Sequence, residues 1–201
     1  MLDLSTASLP DNKVKNDLRR AAIVMAVAGI DAYMHWLVYQ RISAVRREGD
    51  IPKSLGKLEL PFTDFAALAD ATVLGRQKQI DSRPWVQVKH ALQKRLLKAT
   101  FQGYDDVATA FSWAGIEKAW TRVAEDMGTT TTDIKSRLNS VVYRRNQIVH
   151  EGDIKRALRP RKLKYNEVDE QQMRLDVDWV NNLIKAIERI VTSPPPASSS
   201  S

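Results

Sequence analysis

Apolar residues recur at helical spacing along almost the whole chain, and the strict alternation of apolar and polar residues that marks β-strands is scarce. The clearest example lies near the C-terminal end, where seven apolar residues share one side of a helical repeat: Val177, Val180, Leu183, Ile184, Ile187, Ile190 and Val191. Only eight of the 201 residues are Gly and eight are Pro, too few for a turn-rich all-β protein. The pattern predicts an all-α fold, a helical bundle with short connections.

Gly, Pro and helix-capping residues divide this pattern into six predicted helices. They cover residues 12–47, 61–75, 82–102, 105–127, 133–150 and 176–191. Gly115 is a position at which the fourth helix could break, and Thr132 is the predicted N-cap of the fifth. We expect residues 1–192 to form a single domain and the Pro/Ser-rich residues 193–201 to be a disordered tail.

The positive charge of the chain is concentrated in one segment. The whole sequence carries 31 basic and 24 acidic residues, a net charge of +7, and residues 137–164 alone contain nine basic residues against Glu151 and Asp153. A basic balance favours polyanions, either nucleic acid or an anionic membrane surface. Six of these cations form a loop after the fifth helix, which either contacts a nucleic-acid backbone or is only a solvated loop: Lys155, Arg156, Arg159, Arg161, Lys162 and Lys164.

The sequence gives no sign of a metal site, a cofactor site or a membrane segment. It has no Cys, and its three histidines (His35, His90 and His150) have no second His at ligand spacing. No Gly-rich phosphate loop is present. The most apolar run, residues 21–30, is too short to cross a bilayer. We therefore expect a cytoplasmic protein that needs no metal or cofactor and does not enter a membrane.

The residues that remain as candidates for chemistry lie at the end of the fifth predicted helix, in the run Arg145-Asn146-Gln147-Ile148-Val149-His150. This run resembles the signature of the HEPN superfamily, a set of helical RNA-cleaving domains: Arg, a polar residue, three further residues, then His. The Glu151-Gly152-Asp153 that follows it, the preceding helix and the Thr-rich turn resemble the RiboL-PSP branch of that superfamily. The similarity is strongest over residues 111–153.

The resemblance implies a function and partners. It implies a metal-independent endoribonuclease that acts as a homodimer, with the active site at the cleft where two motifs face each other. Proteins of this type are often toxins or anti-phage defence effectors that cleave tRNA or other cellular RNA, so an antitoxin or sensor protein is an expected partner.

The residue types of the motif suit RNA cleavage without a metal. This reaction needs a base for the ribose 2′-hydroxyl, a cation for the phosphate and an acid for the leaving 5′-oxygen. A histidine titrates close to neutral pH, so His150 suits the base or the acid. Arg145 presents a charged fork to phosphate oxygens, and Asn146 can orient either group. The expected product is a 2′,3′-cyclic phosphate.

The geometry of a straight helix directs the side chains of Arg145 and His150 to different sides. Five positions correspond to about 500° of turn, which leaves Arg145 and His150 roughly 140° apart on a straight helix. Either the helix ends before His150, so that the imidazole swings back, or a second copy supplies the partner residue.

Two further residues are supporting candidates. Arg144 is expected to be a solvated residue beside the motif rather than part of it. Asp31 lies in an otherwise apolar helix, and it either supports the active site, as an acidic residue of the first helix often does in HEPN domains, or pairs with His35 one turn later.

Three other interpretations stay open at this point. His150 could be a C-terminal capping residue that interacts favourably with the helix dipole. The chain could be a non-catalytic RNA-binding or scaffold dimer that keeps the fold. It could also be a helical DNA-binding regulator, although its basic residues lie at a helix end and a loop rather than on a recognition helix.

Overall fold

The computed structural model describes residues 12–49, 51–59, 61–78, 84–155 and 164–192. Within these ranges the chain forms eight helices and no β-strand, apart from one isolated antiparallel bridge between Ile154 and Tyr165. The all-α fold expected from the sequence is therefore confirmed. The predicted tail, residues 193–201, lies outside the described residues.

The helices are named α1 to α8 in chain order. Their bounds are α1 Asn12–Glu48, α2 Lys53–Gly56, α3 Phe62–Gln77, α4 Pro84–Leu96, α5 Tyr104–Trp113, α6 Ala119–Met127, α7 Thr131–Glu151 and α8 Glu170–Thr192. The break expected in the fourth predicted helix is present between α5 and α6, where Gly115 adopts a positive φ of 72°. Left-handed backbone is readily available only to glycine, so the helix stops there.

Two helix ends differ from the prediction. α8 begins at Glu170 rather than near residue 176, because Asp169 accepts a hydrogen bond from the backbone N–H of Gln172 at 2.7 Å and so caps the helix. α4 ends at Leu96 rather than near residue 102. The backbone beyond it turns, and the N–H of Phe101 bonds to the carboxylate of Asp31 instead of to a helical carbonyl.

Packing divides the chain into two compact units, with α1 contributing to both. The first unit comprises the residues up to Ile30 together with those from Thr121 onward, and the second comprises Asp31–Trp120. The core of the first unit is formed by Val27, Val123, Ile134, Leu138, Val180, Leu183 and Ile187, and that of the second by Met34, Val38, Phe101, Val107 and Phe111. That residues 1–192 act as one domain stays a prediction.

The longest helix, α1, is unusually apolar. Its stretch Asn12–Val45 is long and apolar enough to cross a membrane by length and composition alone, a criterion that buried core helices also meet. Eight apolar residues along α1 are buried in the protein: Ile23, Val27, Ile30, Met34, Leu37, Val38, Ile42 and Val45. Of its most apolar stretch, 33% is buried inside the protein, and the absence of a membrane segment stays a prediction.

The N-cap of α7 is Thr130, and the prediction of Thr132 was wrong. Thr130 has extended backbone, and its Oγ1 accepts the N–H of Asp133 at 3.1 Å. Its hydroxyl donates to the Asp133 carboxylate at 2.7 Å. Thr132 is exposed inside the first turn. Two neighbouring threonines are equivalent in sequence, and only the backbone conformation decides which of them caps the helix.

We expect Thr130→Ala to lower the free energy of unfolding by about 1 kcal/mol, because the Asp133 N–H loses its partner. Thr132→Ala, the matched control, should change it little. Urea unfolding followed by circular dichroism measures both variants. Equal losses in the two variants would contradict the assignment of the cap.

Candidate active site

The motif residues lie in the last two turns of α7. The earlier part of this helix is anchored by Ile134, Leu138 and Val141, which are buried in the first unit. α7 continues through His150 to Glu151 and ends only where Gly152 adopts a positive φ of 61°. The expectation that the helix could end before His150 is therefore wrong. On a regular helix, the side chains of Arg145 and His150 point in directions that differ by roughly 140° around the axis of α7.

Arg145 carries a charge that no carboxylate of the described ranges compensates. The side chain is partly buried, and its Nη1 donates to Oδ1 of Asn146 at 3.0 Å. Its Nε is buried and has no hydrogen-bond partner among the described residues, none of which forms a salt bridge with it. A buried donor without a partner is costly. The charge of this half-buried side chain therefore has no counterion among the described residues.

His150 is exposed in the last turn of α7. Its ring has no hydrogen-bond or ionic partner within the ranges that the structure describes. The interpretation as a capping residue is supported only by the position near the helix C-terminus, since the imidazole donates to none of the described terminal carbonyls. The ring is accessible to a substrate.

Arg144, by contrast, is fully engaged within the protein, so the expectation of a solvated residue is wrong. Its guanidinium forms a fork on the carboxylate of Asp153, with Nη2 to Oδ2 at 2.9 Å and a second, shorter bond from Nη1 to Oδ1. Arg20 of α1 binds the same carboxylate through Nε at 2.6 Å. Asp153 is only 1% exposed. Arg144 is therefore a structural residue beside the motif.

The same carboxylate fixes the chain on both sides of the basic loop. Asn166 donates its side-chain amide to Oδ1 of Asp153 at 3.0 Å and its backbone N–H to the Asp153 carbonyl at 2.8 Å. The N–H of Lys155 then bonds to the carbonyl of Lys164 at 2.7 Å. Both lysines are exposed just beyond the end of α7. The other predicted RNA-binding residues, Arg156, Arg159, Arg161 and Lys162, lie outside the described residues.

Asp31 makes its contacts in the second unit. Its Oδ1 accepts the N–H of Phe101 at 2.5 Å and lies 3.8 Å from Nε2 of His35. The predicted pairing with His35 is therefore present, and the carboxylate also holds the chain at Phe101. A role for Asp31 in the active site stays a prediction.

Sequence reasoning missed the part that Asp153 plays. From the sequence alone the residue is identified only as one of two acidic residues in the basic segment and as the end of the Glu151-Gly152-Asp153 run, and its partners Arg20 and Asn166 are not singled out. Nothing in the spacing of these residues pairs them, because Arg20 lies on α1 and Asn166 lies beyond the basic loop. The one available signal was an acidic residue directly after a helix-ending glycine in a basic segment.

Opposed effects set the pKa of Asp153. Burial raises the pKa, but hydrogen bonds from Arg144, Arg20 and Asn166, together with the charge of Arg144, outweigh it and hold the pKa below its ordinary value. The carboxylate is thus ionised across the whole neutral range. A group with a lowered pKa stabilises the fold above its unfolded pKa and loses that contribution as the pH falls through the folded value.

Comparison with known families agrees with this geometry. Residues 103–193, which contain α5 to α8 and the whole motif, match the family model RiboL-PSP-HEPN. This part of the chain is therefore a HEPN domain of the RiboL-PSP type. No curated protein and no solved structure matches the chain significantly.

We expect Asp153→Asn to lower the free energy of unfolding at neutral pH by about 3 kcal/mol, because it removes the buried anion that Arg20 and Arg144 share. The difference between wild type and variant should begin to shrink as the pH falls below about 4, where the Asp153 carboxylate of the unfolded chain becomes protonated, and should keep shrinking down to the lower pKa of the folded protein. Urea unfolding at several pH values measures both effects.

The matched control is Asp126→Asn. Asp126 forms an ion pair with Arg189 at the surface, with Nε to Oδ1 at 3.0 Å. Surface ion pairs contribute little to stability, so this variant should stay close to wild type. A comparable loss in both variants would contradict the anchoring role of Asp153.

Proposed function

We propose that the chain is a metal-independent endoribonuclease that works as a homodimer. The HEPN domain indicates a function on RNA, either cleavage or binding. Cleavage is favoured by the state of the motif: His150 is exposed, and Arg145 and Asn146 lie one turn before it. In this proposal His150 is the general base or acid, Arg145 binds the phosphate, and Asn146 orients one of them.

The main support for the proposal is the difference in ionic partners between the neighbouring residues Arg144 and Arg145. Arg144 is neutralised by a buried carboxylate, whereas Arg145 has a buried Nε without a partner and no described anion near its charge. A guanidinium fork fits phosphate oxygens and stays charged at any working pH. The phosphodiester of RNA supplies the anion that the described protein does not.

The reaction follows from these groups. The ribose 2′-hydroxyl loses its proton to a base and attacks the adjacent phosphorus, while the bond to the 5′-oxygen breaks and that oxygen gains a proton. The products are a 2′,3′-cyclic phosphate and a 5′-hydroxyl. Arg145 stabilises the extra negative charge of the transition state, which is the kind of contribution that preorganised donors make.

The angle between Arg145 and His150 favours a site built from two subunits. Because α7 is regular through His150, one copy directs these side chains to different sides of the helix. In a symmetric dimer with the two motifs facing each other, Arg145 of one subunit can lie opposite His150 of the other.

The basic loop extends the proposed interface for RNA. Lys155 and Lys164 are exposed at its two ends and are held together by a backbone hydrogen bond. Lysines in this position can contact phosphates of any sequence, and such contacts weaken as salt increases. We further propose a cytoplasmic toxin or anti-phage defence effector, restrained by an antitoxin or a sensor protein.

We expect the wild type to cleave total tRNA in the presence of EDTA and to leave 2′,3′-cyclic phosphate ends. His150→Ala should lower the cleavage rate by about 10²–10⁴-fold and Arg145→Ala by about 10²–10³-fold. A denaturing gel and a test of the fragment ends measure both. His90→Ala and Arg95→Ala, exposed residues of α4, are the matched controls and should keep wild-type activity.

The outcomes separate the competing functions. RNA binding without cleavage by the wild type would favour a scaffold dimer. Cleavage that survives His150→Ala would remove His150 from the mechanism. A preference for duplex DNA over RNA in competition would favour a DNA-binding regulator.

A mixed dimer tests whether the site is shared. Co-expression of Arg145→Ala and His150→Ala chains should restore activity to about a quarter of the wild-type value, because half of the dimers are mixed and each has one intact site. The activity of purified dimers measures this. A mixed preparation no more active than its parents would contradict a site shared in this way.

A further inference from the structure

An exposed aromatic side chain lies directly beside the motif. Tyr143 precedes Arg145 by two residues on α7, and its side chain is 64% exposed. None of the described aromatic rings or cations contacts its ring. Isolated exposed aromatics are common on proteins, so exposure alone does not assign a role to this residue.

The position of Tyr143 on the helix sets it apart. It lies seven residues before His150, which corresponds to about 700° of turn, so the two side chains leave α7 within roughly 20° of each other. Their Cα atoms are about 10 Å apart along the axis. Tyr143 and His150 therefore share one exposed stripe of the helix, unlike Arg145 and His150.

Tyr143 is also held by the residues around it. Gln147, which lies between Tyr143 and His150 on the same stripe, donates its side-chain amide to the Tyr143 hydroxyl at 3.4 Å. Nη1 of Arg144 donates to the side-chain Oε1 of Gln147, also at 3.4 Å, and Arg144 itself binds the buried Asp153. These long hydrogen bonds connect the exposed ring to the ion pair of Arg144 and Asp153.

We propose that Tyr143 is a base-stacking residue that positions an unpaired nucleotide beside the phosphate to be cleaved. This inference rests on the proposed function, since it concerns the RNA bound at the same site. A planar ring fixed on the surface can stack on any base, and the bases of a duplex are already stacked and inaccessible. Tyr143 would therefore make the site select single-stranded RNA.

Binding measurements test the stacking role directly. The probes are a short fluorescein-labelled single-stranded RNA and the same strand annealed to its complement. The protein carries His150→Ala so that the probe stays intact. Tyr143→Ala should weaken binding of the single strand by about 5- to 150-fold, the range found for one base–aromatic stack. Binding of the duplex should be unchanged.

Two controls distinguish the ring from the hydroxyl and from surface hydrophobicity. Tyr143→Phe keeps the ring and loses only the bond to Gln147, so it should bind the single strand almost as well as its parent. Phe62→Ala removes an exposed aromatic of α3, 84% exposed, in the other unit, and should have no effect. Fluorescence anisotropy measures all of these affinities.

Three results would overturn the inference. They are equal affinities of Tyr143→Ala and its parent for the single strand, an equal loss in Tyr143→Phe, and a change of oligomeric state in Tyr143→Ala, which would place the ring in a contact between two copies. The proposed nuclease function fails separately. If the wild type cuts no RNA but single-strand binding still needs the ring, the stacking role stands without catalysis.

Discussion

The carboxylate of Asp153 is the interaction on which the site depends. It is almost completely buried, and it binds Arg20 of α1, Arg144 of α7 and Asn166 before α8. A buried carboxylate is stable only when cations and hydrogen bonds replace its water. Because these partners come from three different parts of the sequence, one charged group joins α1, the end of α7 and the chain that returns from the basic loop.

This anchor also separates two arginines that look equivalent in sequence. Arg144 is neutralised inside the protein, while its neighbour Arg145 keeps a charge without a described anion. Successive residues on a helix point about 100° apart, so one step along the chain separates a structural side chain from one that can meet a substrate. A substitution at Arg144 would therefore act mainly through the shape of the site, and one at Arg145 through its charge.

Much of the helical architecture was predictable because helices bury apolar residues at a regular period, a property that can be read locally. α1 matched its prediction closely, and the break at Gly115 was anticipated from glycine alone. The predictions were less accurate where a side-chain hydrogen bond determines the residue at which a helix begins. Thr130 rather than Thr132 caps α7, and Asp169 starts α8 early. Four predicted RNA-binding residues of the basic loop lie outside the described residues, so their contacts with RNA stay a prediction.

The sequence by itself determined the helical class, the motif from Arg145 to His150 and the concentration of charge after it, since each of these is a local pattern of residue types. Only the tertiary structure decided that α7 stays regular through His150, that Asp153 is buried between Arg20 and Arg144, and that Arg145 has no counterion in the part of the chain that the structure describes. The contact of Arg20 with Asp153 joins residues 133 positions apart, and no local pattern encodes such a contact.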